Sequence, residues 1–126
     1  MNPLPSQILD AEALERLADL ESTRPGFFIE ILMEFENDIE SSLSRLTTAM
    51  RSSNAELVWQ TAHHIKGSCG VVGTARMKTV CDWLEEQGRS GSLDSTQSAI
   101  DTLRREYEKA RAALDKERAR FHETSH

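Results

Sequence analysis

Phe28, Leu32, Phe35, Ile39, Leu43, Leu46 and Met50 recur at steps of three and four residues, with charged and polar residues between them. An α-helix turns about 100° per residue, so this spacing lays the large apolar groups along one stripe of a single long helix. Such a stripe has to be buried against other helices. The rest of the chain supplies them. Val58, Ala62, Ile65, Cys69 and Val72 form a second stripe; Met77, Val80, Cys81 and Leu84 form a third. Ile100, Leu103, Tyr107, Ala110, Leu114 and Phe121 form a fourth. Alternating runs that would signal strands are missing.

Breaks and caps divide these stripes. Residues 1–9, with Pro3 and Pro5, read as a flexible lead-in, and Asp10 as the N-cap of a short helix carrying Leu14, Leu17 and Leu20. Ser22-Thr23-Arg24-Pro25 separates it from the long second helix, with Phe27 either an exposed partner contact or, the reading favoured, the edge of that helix's core stripe. Ser53-x-x-Glu56 has the capping-box pattern for the third, and Gly73-Thr74 supplies a break and a fresh N-cap for the fourth. Gly88 and Gly91 close the fourth, and Asp94-x-x-Gln97 caps the fifth. From about residue 116 to residue 126 the chain reads as a charged helix end or tail. The fold expected is all-α: an antiparallel up-down-up-down four-helix bundle over residues 10–115, with the short first helix across one end. The stripes are too short and too often interrupted for a coiled-coil oligomer.

Composition narrows the function. At 38% hydrophobic and 29% charged the chain suits a soluble globular domain, and a formal charge of −6 leaves no basic patch for nucleic acid. No apolar run is long enough to cross a bilayer and no signal-peptide pattern opens the chain, so a monomeric cytoplasmic protein is expected. Met1 and the charged tail favour a free-standing one. Cys69 and Cys81 lack metal-ligand spacing and fall on apolar stripes, which makes them small buried residues; neighbouring helices could also bring them together as an oxidised pair. The histidines are adjacent or terminal (His122, His126), and the one Glu-x-x-His, Glu123-x-x-His126, lies at the very end of the charged tail and not within a bundle stripe, which argues against a di-metal bundle.

One strip of the third helix stands out. Trp59, His63, Lys66, Gly67 and Gly70 share a sector that points well away from the apolar stripe. Glycine inside a helix costs about 1 kcal/mol relative to alanine, and here it occurs twice beside one histidine. The simplest reason is that something large must come close to the imidazole. An exposed imidazole offers a nucleophilic nitrogen at neutral pH, and Lys66, one turn on, places a cation beside any anion attached to it. A phosphoryl group fits. As an exposed charge, Lys66 should matter little to stability. His64 lies about 100° further round the helix, out of line with Lys66 and Gly70, and reads as a solvated side chain.

His63-His64-Ile65-Lys66-Gly67-Ser68-Cys69-Gly70-Val71-Val72-Gly73, with Ala62 before it, resembles the signature of histidine-containing phosphotransfer (HPt) domains of two-component phosphorelays. The likeness extends over roughly residues 8–115, through the Asp-led first helix, the Phe-rich second and Cys81-Asp82-Trp83-Leu84-Glu85 in the fourth. Cys69 departs from the family's usual Ser or Ala. The resemblance implies that His63 accepts a phosphoryl group from a receiver-domain aspartate and passes it to another. Lys66 would stabilise the phosphoryl group, and Gly67 and Gly70 would leave room for the receiver. Trp59 could be a docking contact or be tucked against a neighbouring helix. Glu85 stands where the family often has a polar group that orients the imidazole, and could equally be a solvated helix-end glutamate. Response-regulator receiver domains and a hybrid sensor histidine kinase are the implied partners. The chain would carry no cofactor and no ATP site, with Mg on the receiver. A bundle that docks a signalling partner without being phosphorylated is the alternative, as is the phosphoacceptor domain of a chemotaxis-type kinase.

Overall fold

The computed structural model describes the backbone of residues 1–124 and the side chains of residues 1–121. His126 and the His122 side chain therefore lie outside the described residues. Five helices follow one another: α1 (Ala11–Thr23), α2 (Phe27–Arg51), α3 (Ala55–Val72), α4 (Ala75–Ser90) and α5 (Thr96–Thr124). Among the described residues there is no strand, and no helix is long and apolar enough to cross a membrane. Short connections make α2 to α5 antiparallel neighbours, with α3 against α2 and α4, and α5 against α2 and α4.

The core is the one the periodicity demands. Phe28, Leu32, Phe35, Ile39, Leu43 and Leu46 of α2 are buried against Val58, Ala62, Ile65, Cys69 and Val72 of α3, and against the stripes of α4 and α5. Met50 is only partly buried; Ala49 takes the inward position there. Phe27 is half-buried against the core, under the Arg24 guanidinium.

α1 lies across the end where α2 begins and α3 finishes. The Asp10 side chain accepts from the Glu12 N–H, capping the helix as expected, and the Asp10 N–H donates to Gly73 O at 2.8 Å. Gly73 has φ +76°, and a methyl group there would sit 2.7 Å from Ala13 Cβ. Only glycine lets α1 close on this corner. The inward face of α1 differs from the expected leucine stripe: Ala13, Leu17 and Glu21 are buried while Leu20 is 47% exposed. Glu21 turns in because its carboxylate caps α2, accepting from the N–H groups of Gly26 (2.8 Å) and Phe28 (2.9 Å).

Other local expectations change as well. Ser53 adopts φ +52° and Asn54 is the N-cap of α3, its side chain accepting from Leu57 N–H at 3.0 Å. Ser53 therefore stands one residue outside the cap. Asp94 lies outside α5, which starts at Thr96 after a left-handed Ser95. Gly91 ends α4, but Gly88 is inside the helix. At the other terminus α5 continues well past residue 115, and Phe121 meets Phe28 edge-on with ring centroids 4.5 Å apart. Residues 1–9 have no helix, yet Leu4, Ile8 and Leu9 pack on the core and Pro5 O accepts from Arg76.

Candidate functional site

α3 presents its strip between α2 and α4. His63, at mid-helix, has a side chain 60% exposed, so its ring stands outside the core. Its Nδ1 is 3.0 Å from Glu85 Oε1 on α4. Its Nε2 makes no hydrogen bond within the described residues. Glu85 is no solvated helix end. Its side chain is only 10% exposed and it gathers three nitrogen partners, each at 3.0 Å: His63 Nδ1, Lys66 Nζ and Arg89 Nη2. Burial pushes the Glu85 carboxyl up, but these donors outweigh it and hold the group below the usual carboxylate range.

Lys66 also reaches Asp82 Oδ1 at 3.1 Å. The Glu85 and Asp82 carboxylates hold its ammonium above the ordinary lysine value. With a side chain only 28% exposed, it is more deeply engaged than the loose surface cation expected from sequence. Its position, one turn from His63, leaves it beside the same imidazole.

Gly67 and Gly70 are exposed, and a methyl group added to either would meet nothing within 4 Å. Nothing inside this chain requires glycine there. Gly88 is the opposite case: a methyl group would lie 2.7 Å from Trp59 Cβ and N and 2.8 Å from Ala55 O. It is the contact through which α4 closes on α3. Trp59 is accordingly half-buried at that crossing, its ring 4.3 Å from the Arg89 guanidinium carbon. Trp59 is thus tied to α4 beside the strip.

His64 is not the simple solvated side chain expected. Its Nε2 is 2.6 Å from Asp38 Oδ1 on α2, and Asp38 Oδ2 accepts from the Ser68 hydroxyl. α3 is thereby tied on both flanks, to α4 through Glu85 and to α2 through Asp38. Beside the second tie a groove of about 250 Å³ runs between α2 and α3, lined by Ile31, Phe35, Val71 and Val72 with Glu34, Asp38, His64 and Ser68.

Sequence reasoning missed Arg89, Asp82 and Asp38. Arg89 was legible in part, since Glu85 and Arg89 are four apart on one helix face; Asp38 and Asp82 depend on how helices register, which no spacing within one helix reveals. Cys69 and Cys81 are both free and buried, and lie near each other across the α3–α4 contact.

Comparison with known proteins agrees with this geometry. The histidine-containing phosphotransfer protein HptB of Pseudomonas aeruginosa PAO1 superposes with a TM-score of 0.83 at 28% identity, covering 92% of this chain and 98% of that one. Histidine-containing phosphotransfer protein 1 of Oryza sativa subsp. japonica is 29% identical over 98 residues, 76% of this chain and 65% of that protein. The signal transduction histidine-protein kinase BarA of Shigella flexneri is 32% identical over 94 residues, 71% of this chain but only 10% of the kinase, so the chain spans a small part of that relative. The family model for the Hpt domain matches residues 30–113. With its five helices and the His63 strip on the third, the chain belongs to the Hpt domain family.

Proposed function

We propose that this chain is a phosphorelay intermediate in the cytoplasm: His63 takes a phosphoryl group from the aspartate of one receiver domain and hands it to the aspartate of another. The observation that carries the reading is the orientation of one ring. With Nδ1–H donating to Glu85, the lone pair lies on the exposed Nε2, beside Lys66 and above two glycines that clear the approach.

The step balances simply. Nε2 attacks phosphorus in line, the N–P bond forms, and the P–O bond to the partner's aspartate breaks with its electron pair leaving on the carboxylate. The phosphorylated ring keeps its Nδ1–H and carries positive charge, which Glu85 faces directly. Lys66 supplies a cation for the phosphoryl oxygens. The return step is the reverse, onto a different aspartate. Both carboxylates nearest the strip, Asp82 and Glu85, are engaged by Lys66, so we assign the magnesium to the receiver. Every group of the site belongs to one chain, and the reading needs no second copy. A hybrid sensor histidine kinase would supply the first receiver, and response regulators the last.

Incubation with receiver domains carrying phosphoaspartate should produce an acid-labile, alkali-stable label on the peptide containing His63, and His63→Gln should lose it. Label retained by His63→Gln would refute the acceptor. Binding of receivers without any label would favour a docking adaptor instead. Gly67→Trp should keep the helical spectrum and slow transfer about tenfold or more by obstructing the partner; an unchanged rate would show that the strip is not the contact.

A further inference from the structure

We propose that Asp82 is a positioning residue of the relay: it holds Lys66 back from the phosphoryl group and so keeps the phosphohistidine from becoming too stable to be passed on. This rests on the phosphorelay reading and adds to it what sets the balance between the two transfers.

α3 and α4 run antiparallel, and their polar residues meet in register. Glu85 stands opposite His63, with 3.0 Å between Oε1 and Nδ1, and Asp82 stands opposite Lys66, with 3.1 Å between Oδ1 and Nζ. His63 and Lys66 are three residues apart on α3, and Asp82 and Glu85 three apart on α4, so each pair shares a helix face. Lys66 Nζ also lies 3.0 Å from Glu85 Oε2. Two carboxylates therefore draw the ammonium in different directions. Glu85 pulls it along the helix towards the imidazole, and Asp82 holds it one turn away. Its three N–H groups are contested before any phosphoryl group arrives.

The two carboxylates are not equivalent. Glu85 is buried and shared with His63 and Arg89, so it cannot move off without uncovering charge inside the bundle. Asp82 is 53% exposed, and water can take over its solvation at small cost. Asp82 is thus the exchangeable partner. Once His63 is phosphorylated, the phosphoryl oxygens and Asp82 compete for the same ammonium. The charges of Asp82, Glu85, Lys66 and Arg89 cancel, so the group as a whole attracts an anion weakly; without Asp82 it would carry one net positive charge. A relay intermediate needs that restraint. Its phosphoryl group has to be taken from one aspartate and yielded to another, and a phosphohistidine held too firmly raises the barrier to the second transfer.

The test is the distribution of label at equilibrium between this protein and a purified receiver domain phosphorylated on its aspartate. Asp82→Asn should move that distribution about fivefold towards phosphohistidine, the factor expected for one partly exposed ion pair. Asp82→Glu keeps the charge and should stay within about twofold of the parent. In a Lys66→Gln background, whose amide still donates to Glu85, Asp82→Asn should move the distribution by less than about twofold, because the group it acts through is gone. Circular dichroism checks the fold of each variant; should Lys66→Gln not fold, Lys66→Met, which keeps most of the stem, replaces it. A distribution that Asp82→Asn leaves unmoved, or moves towards the receiver, would make Asp82 merely structural and overturn the inference. An equal shift in the Lys66→Gln background would overturn it too, since Asp82 would then repel the phosphoryl group directly, as would an Asp82→Glu protein that behaves like Asp82→Asn. In each of these cases the phosphorelay reading stands. A parent that takes label from no receiver overturns both.

Discussion

At the scale of single residues, the centre of the site is Glu85, not the histidine it serves. A buried carboxylate with three nitrogen partners is stable only while those partners are present. Removing Lys66 is therefore more costly than removing an exposed cation: Lys66→Ala should lower stability by about 1–2 kcal/mol, read from urea midpoints. Glu85→Gln keeps the shape and still accepts from His63 Nδ1–H, but loses the charge that balances a phosphorylated ring. Charged hydrogen bonds are worth roughly twice neutral ones, so transfer should slow about tenfold while labelling still occurs. In the double variant the stability losses should not add, because each single change destroys the same ion pair. Strict additivity would mean that the 3.0 Å contact contributes nothing to folding.

At the scale of elements, glycine divides the α3–α4 hairpin into a face that is packed and a face that is kept empty. Gly88 sits where Trp59 and the α3 backbone leave no space for a methyl group. Gly88→Ala should push α4 away and cost about 1–3 kcal/mol. The same shift would draw Glu85 from His63, so transfer should fall with stability. Gly67→Ala is expected to do the reverse to the fold. Its added methyl group meets no atom within 4 Å, and the helix gains about 0.5–1 kcal/mol from the better propensity. A higher melting temperature with slower receiver exchange would show a glycine retained for function at the expense of stability. A lower melting temperature in Gly67→Ala would remove the argument that these glycines exist for a partner.

The hairpin also shows how far sequence can be read. Periods of three and four residues identify each helix face, so the stripes, the bundle and the exposure of His63 were legible from spacing alone. Spacing says nothing about axial register between helices. That is set by the Gly73 corner and the Gly88 crossing, and it is register that brings Glu85 to His63 and Asp38 to His64. Leu20 was misplaced for a related reason: α1 packs across an end, where Glu21 has α2's first N–H groups to satisfy. Ser53 and Asp94 failed as caps because a left-handed residue, Ser53 itself and Ser95, shifts each helix start along the chain.

At the scale of the whole molecule, the buried and half-buried carboxylates that join the helices make the bundle sensitive to acid. Asp38 joins α2 to α3, Glu85 joins α3 to α4, and Glu106 joins α4 to α5 through Arg76, with both contacts at 2.7 Å. All three are held below their ordinary values: Glu106 chiefly by Arg76, and the other two by hydrogen bonds that outweigh burial. A carboxyl depressed in the folded state contributes its full stability above its unfolded value, 4.5 for glutamate and 3.8 for aspartate, and loses it as pH falls through the lower folded value. The two glutamate links should therefore begin to loosen below about pH 4.5 and the Asp38 link below about pH 3.8, so that stability falls progressively as the pH drops through this range. Glu106→Gln isolates one of them. It should cost about 1–3 kcal/mol at neutral pH, because Arg76 is left facing a neutral amide. That deficit should shrink towards zero as the parent's own Glu106 becomes protonated. Chemical unfolding of both proteins at a series of pH values checks it, and a deficit that persists unchanged into acid would mean that packing around residue 106, not its charge, holds α5 to the bundle.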